Sequence, residues 1–477
     1  MYNINIPFLL PENEDIIRLF FKEYRRGERS DIFIDQNISF EGQKVISLVK
    51  TNLGGEPLEF LDSQRFLYPK GSLEYSKYLK RFAKHSLYKV LKQLTGQAMP
   101  WGSLTGIRPT RLAYELIEQN IPPDQIAPEL KKTFDISAQK LELLMRIIQA
   151  QKGIYTKDAR AVNLYVNIPV CATRCSYCSF ISSQIDKCGH LLDTYCKLLS
   201  QEIKFSLDII KSQNQYVRTV YVGGGTPTAI AADQLDAILS ELPKDALEFT
   251  VEAGRPDSVT KEKLDLLKAQ NVTRISINPQ TFNQDVLDAI GRGHTVQDIF
   301  RAYELARQNY DFIINMDLIA GLPNDAYGSF CQSIQKTLQL APDNITVHTL
   351  SLKSGARLKQ QQIKYFGDIA QMVDYAYQEI TSQGYIPYYL YRQKNTLGNL
   401  ENTGYCKPDT QCINNIDTME ESVSVVACGA GAISKRVLGG GRIERSANVK
   451  NIEDYIGRFD EMLKRREKLF LVKNNKL

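Results

Sequence analysis

The 477-residue sequence lacks the marks of several large protein classes. It has no run of about 18 apolar residues that could span a membrane. Its first residues show neither the basic stretch nor the small-residue cleavage site of a signal peptide. The formal net charge is only +5, which is too weak over this length to indicate nucleic-acid binding. We therefore expect a cytoplasmic protein with neither a membrane nor a nucleic acid as its partner.

Internal repeats, low-complexity tracts and long Pro/Gly linkers are also missing, which excludes repeat architectures and wholesale disorder. Apolar residues make up 43% and charged residues 24% of the chain, as in ordinary globular proteins. The length corresponds to roughly three domains. Changes along the chain predict an N-terminal α+β domain of unknown role over 1–157, a strand–helix region over 158–385 and an irregular C-terminal extension over 386–477.

The middle region alternates strands with helices, which is typical of an α/β protein with a parallel sheet. Six strands are predicted, at Asn163–Ile168, Thr219–Val222, Leu247–Glu252, Thr273–Ile277, Phe312–Ile319 and Asn344–Leu350. In such sheets, ligands bind at the carboxyl ends of the strands. The motifs described below follow these strand ends, so we expect a single site along that edge of the sheet.

One N-terminal segment stands out by its charge. Residues Tyr75–Leu94 have apolar side chains at helical spacing and no acidic residue after Glu74. The basic residues of this predicted helix are Lys77, Lys80, Arg81, Lys84, Lys89 and Lys92. A solvated outer face is the favoured interpretation, and binding to a nucleic acid or an anionic surface is the alternative.

The pattern of cysteines argues against a disulfide framework. Their number is nine, which is odd, in a large chain without an export signal. Six are scattered, as expected of small buried apolar side chains. The other three, Cys171, Cys175 and Cys178, form a C-x3-C-x2-C motif after the first strand. Three thiolates on one loop suit three irons of a 4Fe–4S cluster, and buried or zinc-bound cysteines are the alternative.

The fourth iron of such a cluster would be open to a ligand. It could chelate the amino and carboxylate groups of S-adenosylmethionine (SAM), and one-electron reduction would then release a 5′-deoxyadenosyl radical. The second strand supports this interpretation, because it ends in Tyr221-Val-Gly-Gly-Gly-Thr-Pro-Thr228. Glycines at a strand end let a ligand approach the backbone closely.

Taken together, the motifs resemble those of the radical SAM superfamily. They are the cysteine triplet after Tyr165-Val-Asn-Ile-Pro169, the glycine run, Arg274-Ile-Ser-Ile-Asn-Pro-Gln-Thr-Phe-Asn283 and Asn315-Met-Asp-Leu-Ile-Ala-Gly-Leu-Pro323. The resemblance is to the oxygen-independent coproporphyrinogen III oxidase family, and Trp101–Thr110 and Tyr391–Asn402 resemble its HemZ-type branch of coproporphyrinogen dehydrogenases. It implies a partial (β/α)6 barrel with an α+β N-terminal domain and a smaller C-terminal α+β extension that covers the substrate.

The resemblance also implies roles for individual residues. Cys171, Cys175 and Cys178 would bind the cluster, and no catalytic side chain is implied beyond the cluster and cofactor. Contacts of the cluster-bound SAM match Tyr165, Gly224, Glu252 and Ile433. Contacts of a second SAM position match Tyr177, Gly225, Thr226, Gln280, Arg292, Asp317 and Ser351. The expected cofactors are one 4Fe–4S cluster and one or two SAM molecules.

Several of these polar residues also have a structural interpretation. We expect Glu252, Gln280, Arg292 and Asp317 at strand ends of the barrel. Gln280 and Asp317 could instead be ordinary buried, hydrogen-bonded residues there. Arg292 could instead be a surface residue at a helix terminus.

The implied activity is the oxygen-independent oxidative decarboxylation of coproporphyrinogen III to protoporphyrinogen IX in haem biosynthesis. The implied partners are the porphyrinogen substrate and a reduced flavodoxin or ferredoxin as electron donor. Arginine and lysine pair with carboxylates. Arg392 and Lys394 are therefore candidates for contacts with the four propionates, and a surface role is the alternative.

Two positions depart from the well-studied oxidases, which have a histidine at the position of Asn167 and a cysteine at that of Phe180. The Cys-Ser-Phe ending is closer to the related haem-chaperone branch. The alternative function is therefore a haem-binding, chaperone-like protein without oxidase turnover, with His190, His294 and His348 as candidate axial ligands. A radical enzyme that acts on tRNA through the basic helix is a third, weaker hypothesis.

Overall fold

The computed structural model of the protein describes residues 2–5, 13–21, 24–26, 32–53, 55–106, 108–180, 182–351, 356–360, 368–393 and 396–471. The chain divides into two compact units, Met1–Arg146 and Ile147–Leu477. The division therefore falls somewhat before residue 157, at which the sequence predicted the end of the first domain. Within the described residues, no helix is both long and apolar enough to cross a membrane.

The first unit combines a five-stranded sheet with helices. Its elements are β1 (Tyr2–Asn5), α1 (Glu14–Phe20), β2 (Tyr24–Arg26), β3 (Ile32–Glu41), β4 (Lys44–Thr51), β5 (Leu58–Arg65), α2 (Leu73–Thr95), α3 (Pro109–Glu118), α4 (Pro123–Phe134) and α5 (Ala138–Ala150), the last of which runs across the division. The strand order is β2-β1-β3-β4-β5. Strands β3, β4 and β5 are antiparallel, whereas β1 is parallel to β2 and β3.

The long helix α2 shares a core with this sheet and confirms the helix predicted over Tyr75–Leu94. Alternate residues of β4 are buried, as expected of a strand with one face against a core. Leu87 and Leu91 of α2 are fully buried in the same cluster as Val49 of β4. The helix ends at Gly96, whose φ of 67° is the left-handed conformation that commonly terminates helices.

The second unit is built on an eleven-stranded sheet. Its strands, with the separate two-stranded pair β7–β8, are β6 (Ala161–Ile168), β7 (Val170–Cys171), β8 (Ser183–Gln184), β9 (Tyr216–Gly224), β10 (Glu248–Gly254), β11 (Arg274–Ile277), β12 (Ile313–Ala320), β13 (Asn344–Thr349), β14 (Ile386–Arg392), β15 (Glu401–Cys406), β16 (Ser424–Cys428), β17 (Ile433–Val437) and β18 (Ile443–Ala447). The order is β14-β15-β13-β12-β11-β10-β9-β6-β16-β17-β18. The six predicted strands are confirmed as parallel neighbours, from β6 to β13. Closure of the sheet into a partial barrel stays a prediction.

Helices follow most of these strands. They are α6 (Ile185–Cys188), α7 (Leu192–Ser212), α8 (Ala232–Leu239), α9 (Lys261–Ala269), α10 (Gln284–Ala289), α11 (Val296–Asn309), α12 (Tyr327–Leu340), α13 (Ile369–Ser382), α14 (Ile413–Glu420), α15 (Ile452–Gly457) and α16 (Phe459–Phe470). The central strands are buried along almost their whole length, as in β6 and β11. Continuous burial of this kind is typical of parallel sheets that are covered by helices on both faces.

The C-terminal region is more regular than its sequence indicates. Strands β14 and β15 extend the sheet beyond β13 as antiparallel neighbours, and β16 extends it beyond β6 as a parallel one. Strand β15 is entirely buried although its sequence is polar. The amide of Thr349 donates to Asn402 Oδ1 (2.9 Å), and the Thr349 hydroxyl donates to the Glu401 carbonyl (2.8 Å). Because its buried side chains are mostly polar, β15 has no apolar pattern from which a strand could be predicted.

The sequence of this region also predicts a short strand at Val423–Ala427 and a closing helix near Ile452–Arg465. The helix near Ile452–Arg465 is confirmed, but the structure divides it into two consecutive helices, α15 and α16. The strand expected at Val423–Ala427 is confirmed as β16. That residues 386–477 cover a substrate stays a prediction.

Candidate functional site

The cysteine loop begins where β7 ends, at the carboxyl edge of the parallel sheet. Cys175 is buried, and Cys171 and Cys178 are half-buried. The amide of Ser176 donates to the carbonyl of Ile290 (2.9 Å), which ties the loop to the chain just after α10. Three thiols are therefore presented from one short, anchored segment.

The chemistry of this donor set fits an iron–sulfur cluster. Burial raises the pKa of the Cys171 and Cys178 thiols, so a positively charged metal group is needed to hold them as thiolates at neutral pH. The described residues place no three Cys, His, Asp or Glu side chains around one point that could hold a single metal ion. A 4Fe–4S cube differs from a mononuclear site in this respect, because each thiolate binds its own iron.

Arg255 fastens the cysteine loop to the end of β10. It is buried, and its Nε and Nη2 donate to the two carboxylate oxygens of Asp257 (2.9 and 2.7 Å). Its Nη1 donates to Thr173 Oγ1 (2.5 Å), between the first two cysteines. This clamp restricts the path of the loop. Arg255 was not among the predicted site residues, although it directly follows Gly254, the last residue of β10.

Arg292 is buried, with only 6% of its surface exposed, so the interpretation as a surface residue is wrong. Its Nη1 donates to Tyr177 OH (3.1 Å) and lies 4.0 Å from Cys175 Sγ. Its Nη2 donates to the carbonyls of Gly254 (3.1 Å) and Asn278 (2.5 Å). Arg292 does not stand at a strand end, because it follows α10. Its long side chain instead reaches back to join the cysteine loop to the ends of β10 and β11.

The glycines at the end of β9 pack closely against other parts of the protein. A Cβ on Gly224, where φ is 113°, would lie 2.2 Å from Asn167 Oδ1, and one on Gly225 would lie 2.4 Å from the Val170 carbonyl. The backbone amide of Thr226 donates to the Val170 carbonyl (2.7 Å). The hydroxyl oxygen of Thr226 lies 3.7 Å from Cys171 Sγ. The absence of side chains here lets β9 approach β6 and β7 closely, and the ligand contacts expected of these glycines stay a prediction.

Gln280 is the predicted site residue with the clearest sign of strain. Its φ of 69° is unusual for a residue other than glycine. Its amide donates to the Asp317 carbonyl (2.9 Å). Its Oε1 is buried and has no hydrogen-bond partner among the described residues. An unpaired buried acceptor is costly, so this oxygen suits a donor group on a ligand.

A cavity of about 440 Å³ lies beside the ends of β6 and β9. The sequence assigned three of its lining residues, Tyr165, Gly224 and Ile433, to one cofactor, and the structure brings them together. Ile433 is 49% exposed at this cavity. The lining also includes Asn167, Phe180, Tyr221, Asn414 and Lys435. Asn414 and Lys435 were not predicted, because they come from α14 and β17, far away in the sequence.

Asn167 fastens Tyr165 to the glycine-rich loop after β16. The phenol of Tyr165 donates to Asn167 Oδ1 (3.1 Å), and Asn167 Nδ2 donates to the carbonyl of Ala430. The hydroxyl of Tyr195 donates to the Asn167 carbonyl (2.7 Å). The residue at this departure from the well-studied oxidases therefore orients a predicted cofactor contact.

The fully buried Glu202 of α7 also binds the glycine-rich loop after β16. Its Oε2 accepts hydrogen bonds from the Gly429 amide (2.7 Å) and the Tyr455 hydroxyl (2.5 Å). Its Oε1 accepts from Asn448 Nδ2 and from Arg466 Nη2, both at 2.8 Å. Arg466 belongs to α16, so the loop is held in place through the last helix of the described chain.

Glu252 shares a hydrogen bond with a tyrosine that the sequence analysis did not single out as a site residue. The hydroxyl of Tyr221 donates to Glu252 Oε1 (2.5 Å), and the Tyr221 ring stacks on that of Tyr165 with a centroid distance of 6.0 Å. Burial raises the pKa of Glu252 to about 7, and the Tyr221 hydrogen bond opposes this rise. Glu252 therefore titrates near neutral pH, and a cationic ligand group would favour its ionised form.

Asp317 lies within β12, three residues before its end, so its predicted strand-end position is wrong. Its Oδ1 accepts a hydrogen bond from Asn315 Nδ2 (2.8 Å), and its Oδ2 lies 3.6 Å from His348 Nε2. Although burial acts to raise the pKa of Asp317, the contact with His348 lowers it overall. The other ring nitrogen of His348 lies 3.2 Å from Tyr391 OH. His348, a candidate haem ligand, is thus engaged by protein groups on both nitrogens.

Three residues were considered for the second cofactor or the substrate, and the structure describes two of them. Ser351 follows β13 and forms an isolated β-bridge with Thr396. Arg392 is buried, and its Nη2 donates to the Asn399 carbonyl (3.1 Å), so the surface role is wrong. Lys394 lies outside the described residues.

The two remaining histidine candidates have different environments. His190 is exposed. His294 is buried, and neither of its ring nitrogens has a hydrogen-bond partner among the described residues. The scattered cysteines are buried except for the half-buried Cys331, as expected of small apolar side chains.

Comparison with known proteins identifies the family. The model of the radical SAM superfamily matches residues 165–335. Over 96% of its length, the chain is 36% identical to the oxygen-independent coproporphyrinogen-III oxidase-like protein HemZ of Bacillus subtilis, 95% of which is covered. The chain belongs to the radical SAM superfamily.

Two further proteins are similar to this radical SAM protein in sequence or in fold. It is 27% identical to the heme chaperone HemW of Haemophilus influenzae over 62% of the chain and 76% of that protein. Its fold is similar to that of the coproporphyrinogen III oxidase HemN of Escherichia coli, with a TM-score of 0.51, 24% identity and coverage of 69% of this chain and 74% of that one. Membership of the radical SAM superfamily implies a 4Fe–4S cluster and SAM.

Proposed function

We propose that this protein is an oxygen-independent enzyme that oxidatively decarboxylates coproporphyrinogen III to protoporphyrinogen IX. The full-length similarity to an oxidase-like relative supports this proposal. The structural observation that carries it is the set of buried polar groups around the cysteine loop, with Arg292 at the centre. A protein that only carried haem would not require so many polar groups beside a cofactor loop.

In this proposal, the three loop cysteines hold the cluster, and the cavity beside β6 holds the cluster-bound SAM. Tyr165, Gly224, Glu252 and Ile433 would contact that SAM. When bound, the cluster and SAM supply one-electron radical chemistry at a C–H bond. The carboxyl group of Glu252 could accept a hydrogen bond from the ribose or the ammonium of SAM.

The second predicted group would serve a second SAM molecule. Gln280 Oε1 is an unpaired acceptor that a ligand donor would satisfy. Arg292 and Asp317 already have protein partners in Tyr177 and His348. A second ligand would therefore have to share these groups or displace their partners.

The proposed reaction converts two propionates to vinyl groups. At each one, a hydrogen atom would pass from the β-carbon to a 5′-deoxyadenosyl radical, and the substrate radical would then lose CO2 and pass one electron to an external one-electron acceptor. A reduced flavodoxin or ferredoxin would supply the electron that starts each cycle. The protein's own contribution would be to orient the propionate and to exclude water from the site.

One observation favours a second candidate, a haem-binding, chaperone-like function. Phe180, at the end of the cysteine loop, is 68% exposed although it is a large apolar side chain. It could pack against the flat face of a porphyrin without chemistry. The similarity to heme chaperones over about two thirds of the chain is consistent with this alternative.

An anaerobic assay of the reconstituted full-length protein separates the two functions. With reductant, SAM and coproporphyrinogen III, we expect 5′-deoxyadenosine and vinyl-bearing porphyrinogen to form together. The variant Cys175→Ala should lose both products, and the matched control Cys331→Ala should retain them. Stoichiometric haem binding with SAM cleavage but no porphyrinogen product would establish the chaperone-like function instead.

A further inference from the structure

The N-terminal unit contains a cavity of about 490 Å³ that the cofactor chemistry does not use. One wall is the C-terminal half of α2, and the other is the end of α4. The lining residues are His85, Lys89, Lys92, Gln93, Gly96, Lys131, Lys132 and Asp135. We call this cavity the lysine pocket.

The spacing of the residues explains how one helix supplies most of the lysine pocket. Positions 85, 89, 92, 93 and 96 are separated by three or four residues or are adjacent, so they share one face of α2. Helix α4 ends nearby at Asp135, whose φ of 58° is left-handed. Lys131 and Lys132 lie in its last turn. The basic helix found in the sequence therefore faces a concavity as well as solvent.

The lysine pocket has an excess of positive charge. Two of its four lysines are paired, Lys92 with Asp135 (2.6 Å) and Lys89 with Asp62 (3.0 Å). Lys131 and Lys132 form no ion pair within the described residues. Like charges around one cavity repel each other, and an anion in the cavity would remove this repulsion.

His85 adds a polar group but no charge. Its Nδ1 lies 3.1 Å from Ser103 Oγ. Burial, assisted by Lys89, lowers the pKa of His85 to about 4. The imidazole is therefore neutral at pH 7, and the ammonium groups carry the charge of the lysine pocket.

We propose that the lysine pocket binds the phosphate group of a small phosphorylated molecule. All of its cations are lysines, whose ammonium groups bind phosphate oxygens as point charges. Its volume lies within the range of small-molecule sites. Its lining has no Phe, Tyr or Trp on which bases could stack, as sites for single-stranded nucleic acid have. The site is independent of the proposed radical chemistry.

Calorimetric titration of the full-length protein with inorganic pyrophosphate tests this proposal. We expect saturable binding that the double variant Lys131→Ala/Lys132→Ala weakens by at least about tenfold, because two charge-assisted contacts are lost. The matched control Lys464→Ala/Lys468→Ala, on exposed positions of α16, should bind as the wild type does. The variant Lys131→Arg/Lys132→Arg should retain most of the affinity, and Cys171→Ala should retain all of it.

Four outcomes would overturn the proposal. They are no binding of pyrophosphate by the wild type at millimolar concentration, equal affinities of the wild type and the Lys131/Lys132 double alanine variant, equal affinity for citrate, and binding of a single-stranded RNA oligonucleotide without binding of pyrophosphate. Circular dichroism and the thermal midpoint of each variant check that its fold is intact. The lysine substitutions are on exposed helix positions, where effects on stability are small.

Discussion

The two groups of residues predicted to contact SAM are built differently. The first group, at Tyr165 and Ile433, lines a cavity and is positioned by neutral hydrogen bonds through Asn167. The second group, at Arg292 and Asp317, is charged, and its members are already paired with protein groups. The first group thus has room for a ligand, whereas the second group also holds parts of the protein together. We call this second role a structural junction. Variants that separate binding from stability can test this difference.

The largest effect is expected from substitutions in the cysteine loop, because the proposed cluster lies there and SAM binding depends on it. Replacement of Cys171, Cys175 or Cys178 by alanine should abolish the 4Fe–4S absorbance of the reconstituted protein, because each thiolate binds its own iron. Iron analysis and electron paramagnetic resonance measure the loss. Cys331→Ala should keep the full iron content. About four irons in any of the triplet variants would contradict the assignment.

The next effect concerns the charged group. Arg292→Gln removes donors to two backbone carbonyls and to Tyr177, and should lower the free energy of unfolding by about 2–4 kcal/mol. Urea denaturation measures this change. The exposed Arg301, whose side chain is 76% exposed, provides the control Arg301→Gln, which should change stability by less than about 0.5 kcal/mol. A fully stable Arg292→Gln variant that loses only SAM binding would make Arg292 a ligand contact rather than a junction.

A pH-dependent effect is expected at Glu252, which belongs to the first group and accepts a hydrogen bond from Tyr221. Its pKa of about 7 in the folded protein lies above the ordinary value of 4.5. The folded state therefore binds the proton more tightly than the unfolded state, and stability falls as the pH rises from about 4.5 to 7. The contribution should be about 3 to 4 kcal/mol, at about 1.4 kcal/mol for each pKa unit.

Denaturation at several pH values, in wild type and Glu252→Gln, isolates this contribution. The variant should gain stability relative to the wild type as the pH rises, and the difference should level off above pH 7. Equal pH profiles of the two proteins would show that Glu252 titrates at its ordinary pKa. Asp311→Asn is a matched exposed control, since the Asp311 side chain is 79% exposed.

The smallest effect is expected in the neutral group. Tyr165→Phe removes one hydrogen bond to Asn167, which should weaken SAM binding about fivefold, or about 1 kcal/mol. Stability should change little. The control Tyr216→Phe removes an exposed hydroxyl that donates to Asp158 (3.1 Å) and should bind SAM normally. A loss of stability as large as that of Arg292→Gln would remove the proposed difference between the two groups.

The parallel strands could be predicted because each carries its own apolar run between turn residues, as in β12. Strand β15 could not, because its polar residues are satisfied by partners on β13 that sequence spacing does not reveal. For the same reason, some site residues could be predicted from the sequence and others could not. Tyr165 and Gly224 belong to recognisable motifs, whereas Arg255 acts through a contact with Thr173, 82 positions earlier in the chain.

In the N-terminal unit, only part of the lysine pocket could be predicted from the sequence. The regular spacing of the lysines on α2 could be seen in the sequence. The sequence does not show that Lys131 and Lys132 lie beside these lysines, because their position depends on how α4 packs beside α2. Periodicity within one helix is a local property, and the pairing of two helices is not.

The contact between Glu202 and Arg466 has a consequence for the order of events during biosynthesis. The ribosome synthesises the three cysteines roughly 290 residues before Arg466, which at 5–20 residues per second is an interval of roughly 15–60 seconds. During that interval the nascent chain lacks the cation that pairs with Glu202 beneath the Gly429 loop. The thiols therefore leave the ribosome well before the loop that precedes Ile433 can be fixed by the contact between Glu202 and Arg466.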